Sequence, residues 1–403
     1  MCTWRRLGAL LLCLTCWPTA ARAQFTVGGE VTATMAAGDD NDGAYFNYTD
    51  YSHNALRMFR VSLSAMWRPI EQVAFLAEIR SENIERAIPY ALYLRVRPVK
   101  KIPLDVQVGR IPVVFGTFAR RYGGDNPLIG VPLAYQYLTS LRPDAVPASA
   151  DNLLFFRGLG WKVTYPVPAP TEAPGVPVIT TYRWDTGVEA HAASRYVDGA
   201  VAFTSGTLAN PRVDDDNQGR QMSGRVAVKP IIGLVLGASV SRGEFLTHQV
   251  KDFYEPVFPG TNYRQRALGF DGEYSRGFWI VRGELIDSRW NLPAANQPYI
   301  TNPLRATAGY VETRYRITPR YYAAARYDYL TFSKITGFRQ TNAAPGQPTP
   351  WDAPVTRAEL GGGVSITRHL TARASLQFNH RHGPIQFVAR QRTYPAGQLS
   401  FWF

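Results

Sequence analysis

The chain has 403 residues, with 44 lysines and arginines against 31 aspartates and glutamates and a formal charge of +13. Its three cysteines, Cys2, Cys13 and Cys16, all lie at the amino terminus, so the remainder can form no disulfide and no thiolate metal site. Hydrophobic residues are 45% of the total, yet past residue 23 no stretch approaches the roughly 20 apolar residues that a membrane helix needs.

The chain begins like an exported protein. Arg5-Arg6, the apolar run Leu7 to Trp17, and Ala21-Arg22-Ala23 before Gln24 are the parts of a secretory signal, so residues 1–23 are expected to be removed. A lipoprotein signal acylated at Cys16 fits less well, because Thr15 stands where a small residue is wanted. Losing Arg5, Arg6 and Arg22 with the leader lowers the charge to +10. That balance alone would permit nucleic-acid binding. Export argues against it and favours anionic lipid headgroups or anionic solutes.

From Gln24 onward, alternation of period two recurs almost everywhere and helical periodicity almost nowhere. Phe59, Val61, Leu63, Ala65 and Trp67 alternate with Arg60, Ser62, Ser64 and Met66; near the end, Ala372, Ala374, Leu376 and Phe378 alternate with Arg373, Ser375, Gln377 and Asn379. The alternating segments run to about ten residues, the length of a tilted strand that crosses a bilayer, where soluble strands average nearer five or six. Sixteen are expected: 25–36, 56–67, 73–81, 88–97, 104–111, 183–193, 197–205, 218–228, 232–243, 265–274, 278–288, 304–317, 321–333, 355–367, 371–382 and 391–403. Their connections are short and long by turns, as the tight turns and longer outer loops of a transmembrane barrel are. The stretch Phe155 to Tyr165, followed by the proline-rich Pro166–Pro177, could add two strands and give eighteen. Prolines break a central ladder, which places it instead in a long third loop, 112–182.

On this register Trp67, Trp279, Tyr315, Tyr321, Phe401 and Phe403 face outward near one rim, and Phe59, Tyr329 and Phe378 near the other, as two interfacial girdles require. The inward set is charged, with twelve arginines against ten carboxylates. The expected wall of a wet lumen includes Arg95, Arg97, Arg282, Glu284, Arg314, Arg316, Arg326 and Arg373. Leu376 is expected to face lipid and Gln377 the lumen. In the third loop, Arg120 and Arg121 with Asp125 are the densest charge and the candidate constriction. That loop could equally be exterior, packed on a neighbouring subunit.

Motifs for chemistry are weak. There is no G-x-S-x-G, and His53, His191 and His248 are scattered. His380 and His382 share a strand face but show no third ligand. Asp40-Asn41-Asp42-Gly43 looks like half a calcium loop without its downstream glutamate. No catalytic residue, metal or cofactor is expected.

Two resemblances add to this reading. The terminal strand, with Phe403, Phe401 and Leu399 on one face, resembles the targeting signature of bacterial outer-membrane β-barrels, which implies Phe403 as an assembly signal read by the barrel-assembly machinery. The pieces VQVGRIPVVFG (106–116), DTGVEAHAASRYVDGAVAFTSG (185–206) and NPRVDDDNQGRQMSGRVAV (210–228) resemble the phosphate-selective porin O and P family, in that family's order. They cover about a quarter of the chain. The family's phosphate-binding arginines and lysines are not recognisable here, so phosphate selectivity is not implied. In sixteen-stranded porins the third loop folds into the barrel and narrows it, which the position of this one allows. The expectation is an all-β antiparallel transmembrane barrel over 24–403, exported to the outer membrane of a Gram-negative cell. It would pass small hydrophilic solutes with a slight anionic preference, as a trimer in contact with outer-membrane lipid and lipopolysaccharide. The runner-up is a barrel serving as adhesin or scaffold through its loops, and a barrel enzyme comes third.

Overall fold

The structure is a computed structural model that describes residues 24–37, 46–47, 54–99, 102–118, 126–180, 184–212, 219–254, 263–294, 296–339, 345–383 and 389–403. The expected signal, the constriction residues Arg120, Arg121 and Asp125, and the acidic stretches at 40–43 and 214–216 lie outside the described residues.

Sixteen antiparallel strands close into one barrel. They are β1 (Gln24–Ala36), β2 (Met58–Ile70), β3 (Val73–Glu82), β4 (Ala87–Val96), β5 (Leu104–Pro112), β6 (Trp184–Ala193), β7 (Val197–Thr204) and β8 (Gln221–Ile231). The second half continues with β9 (Leu234–Glu244), β10 (Arg264–Arg276), β11 (Trp279–Trp290), β12 (Leu304–Arg316), β13 (Tyr321–Phe332), β14 (Val355–Ser365), β15 (Leu370–Arg381) and β16 (Gln391–Trp402). Every strand pairs with its sequence neighbours, and β1 pairs with β16 to close the ring. Closure leaves no open edge, so every strand can satisfy its backbone in a solvent that offers no hydrogen bonds.

All sixteen expected strands are present, with ends displaced by a few residues. The largest displacements are at β2 and β8, which the alternation ends at 67 and 228. Each runs on through its proline, Pro69 or Pro230, by a shift in register against the next strand, between Trp67 and Ile70 and between Val228 and Ile231. Phe155 to Tyr165 adds no barrel strand. Within the third loop, helix α1 spans Leu133–Gln136 and α2 spans Ala150–Phe155, while Val163–Thr164 pairs only with Glu172–Ala173. A third short helix, α3 (His248–Tyr254), lies in the loop after β9.

Connections at one end of the barrel are short, such as 71–72, 194–196, 232–233 and 277–278. At the other end they are long except for 83–86, where Asn83 and Ile84 turn the chain at positive φ. β1 starts and β16 ends at the short-turn end. The outward positions are apolar and exposed on strand after strand, among them Val240, Leu268, Leu285, Val311, Leu360 and Leu399. So continuous an apolar surface fits hydrocarbon rather than water. The girdle residues behave as expected: Trp67 stacks on Phe75, Trp279 lies 4.6 Å from Tyr315 between ring centroids, and Phe401 lies 6.2 Å from Phe403. Phe403 also extends the closing seam. Its backbone exchanges two 3.1 Å hydrogen bonds with Gly29, and its ring lies against that glycine, where a Cβ would meet ring carbons at 2.5 and 2.8 Å.

Candidate functional site: a loop bound inside the lumen

The third loop turns inward. Leaving β5 it buries Val113, Val114 and Phe115, then bends at Gly116 with φ +59°. There it meets Glu284, which β11 projects into the lumen at an even-numbered position. The Glu284 carboxylate accepts from the Thr117 backbone N–H at 2.5 Å, the Thr117 hydroxyl at 2.9 Å, the Phe118 N–H at 2.7 Å and the Tyr135 hydroxyl at 2.5 Å. Gly116 N–H donates to Ser239 Oγ on β9 at 3.0 Å.

The returning limb is held across β13 and β14. Gly130 N–H donates to Glu359 at 2.9 Å, and the Gly130 carbonyl accepts from Arg326 at 3.0 Å. Arg357 donates to the carbonyls of Val131 at 2.9 Å and Phe46 at 2.7 Å, the latter in the first long loop. Tyr322 donates to the Pro127 carbonyl at 3.0 Å. The approach at Gly130 is close: a Cβ there would lie 2.0 Å from Gln377 Nε2 and 2.4 Å from Glu359 Oε2, so both side chains would have to move.

Two of the expected wall residues therefore have another role. Arg326 is buried and pairs with Glu359 at 2.6 Å, Asp328 at 3.0 Å and Glu312 at 3.4 Å, while Glu284 is covered by Thr117, Phe118 and Tyr135. Neither faces open water. Ions this dry are tolerated only with their partners in place, so the cluster is an anchor for the loop rather than a filter for solutes. Gln377 points inward as expected, but it is fully buried against the loop instead of wet.

Toward the loop end the interior is apolar. Phe118 packs 5.0 Å from Tyr135 and 6.1 Å from Tyr310 between ring centroids, and Ala267, Ile286, Ala306, Ala308 and Leu330 on the inner wall belong to the same buried cluster. Other long loops join it through Phe46, Phe245, Leu292, Ile335 and Trp351. The third loop is stitched to them by polar contacts: Asp352 accepts backbone N–H groups from Ser140 at 2.6 Å and Gly158 at 2.8 Å, and Asp151 accepts from Phe338 at 2.7 Å. Burial pushes the Tyr137 hydroxyl up to about 12, and it lifts the Asp352 carboxyl above the usual carboxylate range even though those N–H groups pull it back. Both sit in packed interior. The alternation alone did not separate this apolar wall from a charged one. The available signal was the dense aromatic and aliphatic content of 113–165, which marked an ordered loop without saying what it packs on.

Toward the short-turn end the wall stays polar and more open. Arg314 is half-buried and Arg316 exposed, and neither has a carboxylate within ion-pair distance among the described residues. With Arg320, which the sequence reading missed because it lies in a turn, and Arg373 they border a recess of about 220 Å³ roofed by Asn126 and Pro127 of the third loop. Arg373 donates to Gln398 at 2.9 Å, and Arg282 pairs with Glu273 at 2.6 Å. Across the barrel Arg95 is half-buried opposite Gln107, and Arg97 grips Asp105 at 2.9 and 3.1 Å at the rim. The structure thus brings Arg282, Arg314, Arg316 and Arg373 onto one wall and sets Arg95 and Arg97 apart. The rings of His380 and His382 stand 4.3 Å apart, and no cluster of three metal-ligating side chains forms among the described residues.

No family model and no curated protein matches this chain. Solved structures do. OmpT, an outer-membrane protein of Vibrio cholerae, aligns with TM-score 0.55 at 11% identity over 96% of this chain and 99% of its own. The anion-selective porin of Comamonas acidovorans aligns with TM-score 0.55 at 10% identity, covering 95% and 100%. The outer-membrane channel DcaP of Acinetobacter baumannii aligns with TM-score 0.53 at 10% identity, covering 96% and 99%. The chain has the fold of porin-like outer-membrane barrels.

Proposed function

We propose that the protein is an outer-membrane porin, a passive channel for small hydrophilic solutes with a weak preference for anions. The observation that carries this reading is the arginine-lined recess under the inward-folded third loop, in a barrel whose outer face is fitted to lipid. A solute that enters the lumen must pass beside the loop, where the wall offers Arg282, Arg314, Arg316 and Arg373. Fixed charge in a narrow, partly desolvated passage acts on ions more strongly than charge on an open rim, where salt screens it within about 10 Å. Filtering of this kind needs no covalent step and no cofactor.

The likeness to the anion-selective porin of C. acidovorans agrees in direction with the wall's charge, and the trimer form in which V. cholerae OmpT was solved suggests a homotrimer here. Export through a cleaved leader and insertion by the barrel-assembly machinery complete the proposal. The apolar cluster that packs the loop end favours a second reading, a closed barrel that presents its loops to a partner. Planar-bilayer recording of the purified protein decides between them. Stepwise conductance at low voltage with a reversal potential on the anion side supports the porin. Bilayers that stay silent after verified insertion would overturn it.

A further inference from the structure

On the outer surface of β9–β12, just past the apolar band at the long-loop end, arginines stand side by side on four adjacent strands. The ladders pair Arg242 with Arg266, Arg266 with Arg289, and Arg289 with Arg305. Arg242, Arg266, Arg289 and Arg305 are exposed, and they share the face of Val240, Leu268 and Leu285, which are also exposed. Arg264 stands on the same face one step further toward the loops.

Like charges directly opposite on neighbouring strands repel. Asp287 relieves part of this: it accepts from Arg289 Nε at 2.9 Å, from Arg305 Nε and from the Thr307 hydroxyl at 3.2 Å. Glu244, opposite Arg264 in the ladder, takes Lys251 at 2.6 Å. Among the described residues Arg242, Arg264 and Arg266 have no carboxylate partner. A shallow groove of about 310 Å³ lies over this patch, lined by Arg264, Arg266, Asp287, Arg289, Asn291 and Pro303.

We propose that this arginine row is a docking site for the phosphate groups of an anionic outer-leaflet lipid. The charge is of the right sign, and its depth is that of headgroups, since the outward positions toward mid-membrane become Val240 on β9, Leu268 on β10 and, beyond Asp287, Leu285 on β11. Strands about 4.8 Å apart spread four guanidinium groups over about 14 Å, which suits a headgroup bearing more than one phosphate. Guanidinium groups bind phosphate bidentately. A bound headgroup would cancel the repulsion along the row while the acyl chains cover Val240, Leu268 and Leu285.

The site is independent of the porin reading, because it lies on the opposite side of the wall from the lumen. The test is lipid retention by the full-length barrel. Wild-type protein is exchanged from micelles holding bisphosphorylated lipid A into clean detergent, and retained lipid is counted by native mass spectrometry. Arg242→Gln with Arg266→Gln should lower retention about tenfold or more. The charge-matched control Arg195→Gln with Arg276→Gln, at the other end of the barrel, should leave it unchanged, and Arg242→Lys with Arg266→Lys should restore most of it. Heat-modifiable mobility confirms that each variant is folded. Equal retention by the Gln pair and wild type would overturn the proposal. So would equal loss in the control. Inorganic phosphate at millimolar concentration should not displace the lipid; complete displacement would mean a site for free phosphate, and retention of an uncharged lipid to the same extent would mean a merely apolar surface.

Discussion

The two ends of the lumen wall use the same side chains for opposite purposes. Toward the long loops, Glu284, Arg326, Arg357 and Glu359 are dry and bound to backbone groups of the third loop, and Arg326 and Glu359 also pair with each other. Toward the short turns, Arg314, Arg316 and Arg320 border a recess, and among the described residues none of them has a carboxylate within ion-pair distance. The difference lies in what covers them. A charge under the loop holds structure, and a charge beside open space sets a field. Substitutions at the first end should therefore change stability or loop position, and those at the second should change selectivity alone.

The largest effect is expected at Arg326. Replacing it with Met removes the ion-pair partner that Glu312, Asp328 and Glu359 share in a dry setting and should cost about 3–5 kcal/mol, read as a lower midpoint for unfolding in detergent or lipid. An unchanged midpoint would mean that water reaches the cluster and that the two ends do not differ.

Next come Leu376 and Gln377, adjacent on β15 and on opposite faces. Leu376→Arg puts a charge against hydrocarbon and should cost about 2–4 kcal/mol near mid-membrane. Gln377→Arg should leave the barrel folded but force the loop off the wall at Gly130, giving larger or noisier single-channel currents. If Gln377→Arg is silent in both folding and conductance, the loop does not rest where the structure places it.

Glu284→Ala removes an acceptor of four hydrogen bonds. Bonds to a charged group contribute about 1.5–3 kcal/mol each and do not simply add. The barrel's unfolding midpoint should move little, while the third loop becomes open to protease and conductance rises. A loop that stays protected would show that the apolar cluster, rather than the glutamate, holds it.

These residues also show how far the sequence was legible. Strand number, ring order and facing follow from alternation, because a barrel between lipid and lumen repeats every two residues. Leu376 and Gln377 were assigned their faces on that ground alone. What alternation cannot reveal is the identity of the inner solvent. Glu284, Arg326 and Gln377 point inward as expected but meet a folded loop instead of water, since the pattern of one strand carries no record of a segment that packs on it from a hundred or more residues away. Arg320 was missed for a simpler reason: residues in turns lie outside the periodic signal.

A smaller effect is expected from deleting Phe403. It loses two backbone hydrogen bonds to Gly29, about 0.5–1.5 kcal/mol each, together with the ring's contact at the seam. Outer-membrane levels should fall while the conductance of assembled barrels is unchanged. Normal levels of the truncated protein would detach the aromatic terminus from assembly.

The smallest change in stability, within about 0.5 kcal/mol, is expected where the change in function is greatest, at Arg314 and Arg316. The reversal potential of the double variant Arg314→Glu with Arg316→Glu, in a salt gradient across a planar bilayer, tests the division of the lumen most directly. A shift toward cation preference at unchanged unfolding midpoint is the predicted result. A reversal potential equal to that of the wild type would contradict it, and would remove these arginines from the path of the ions.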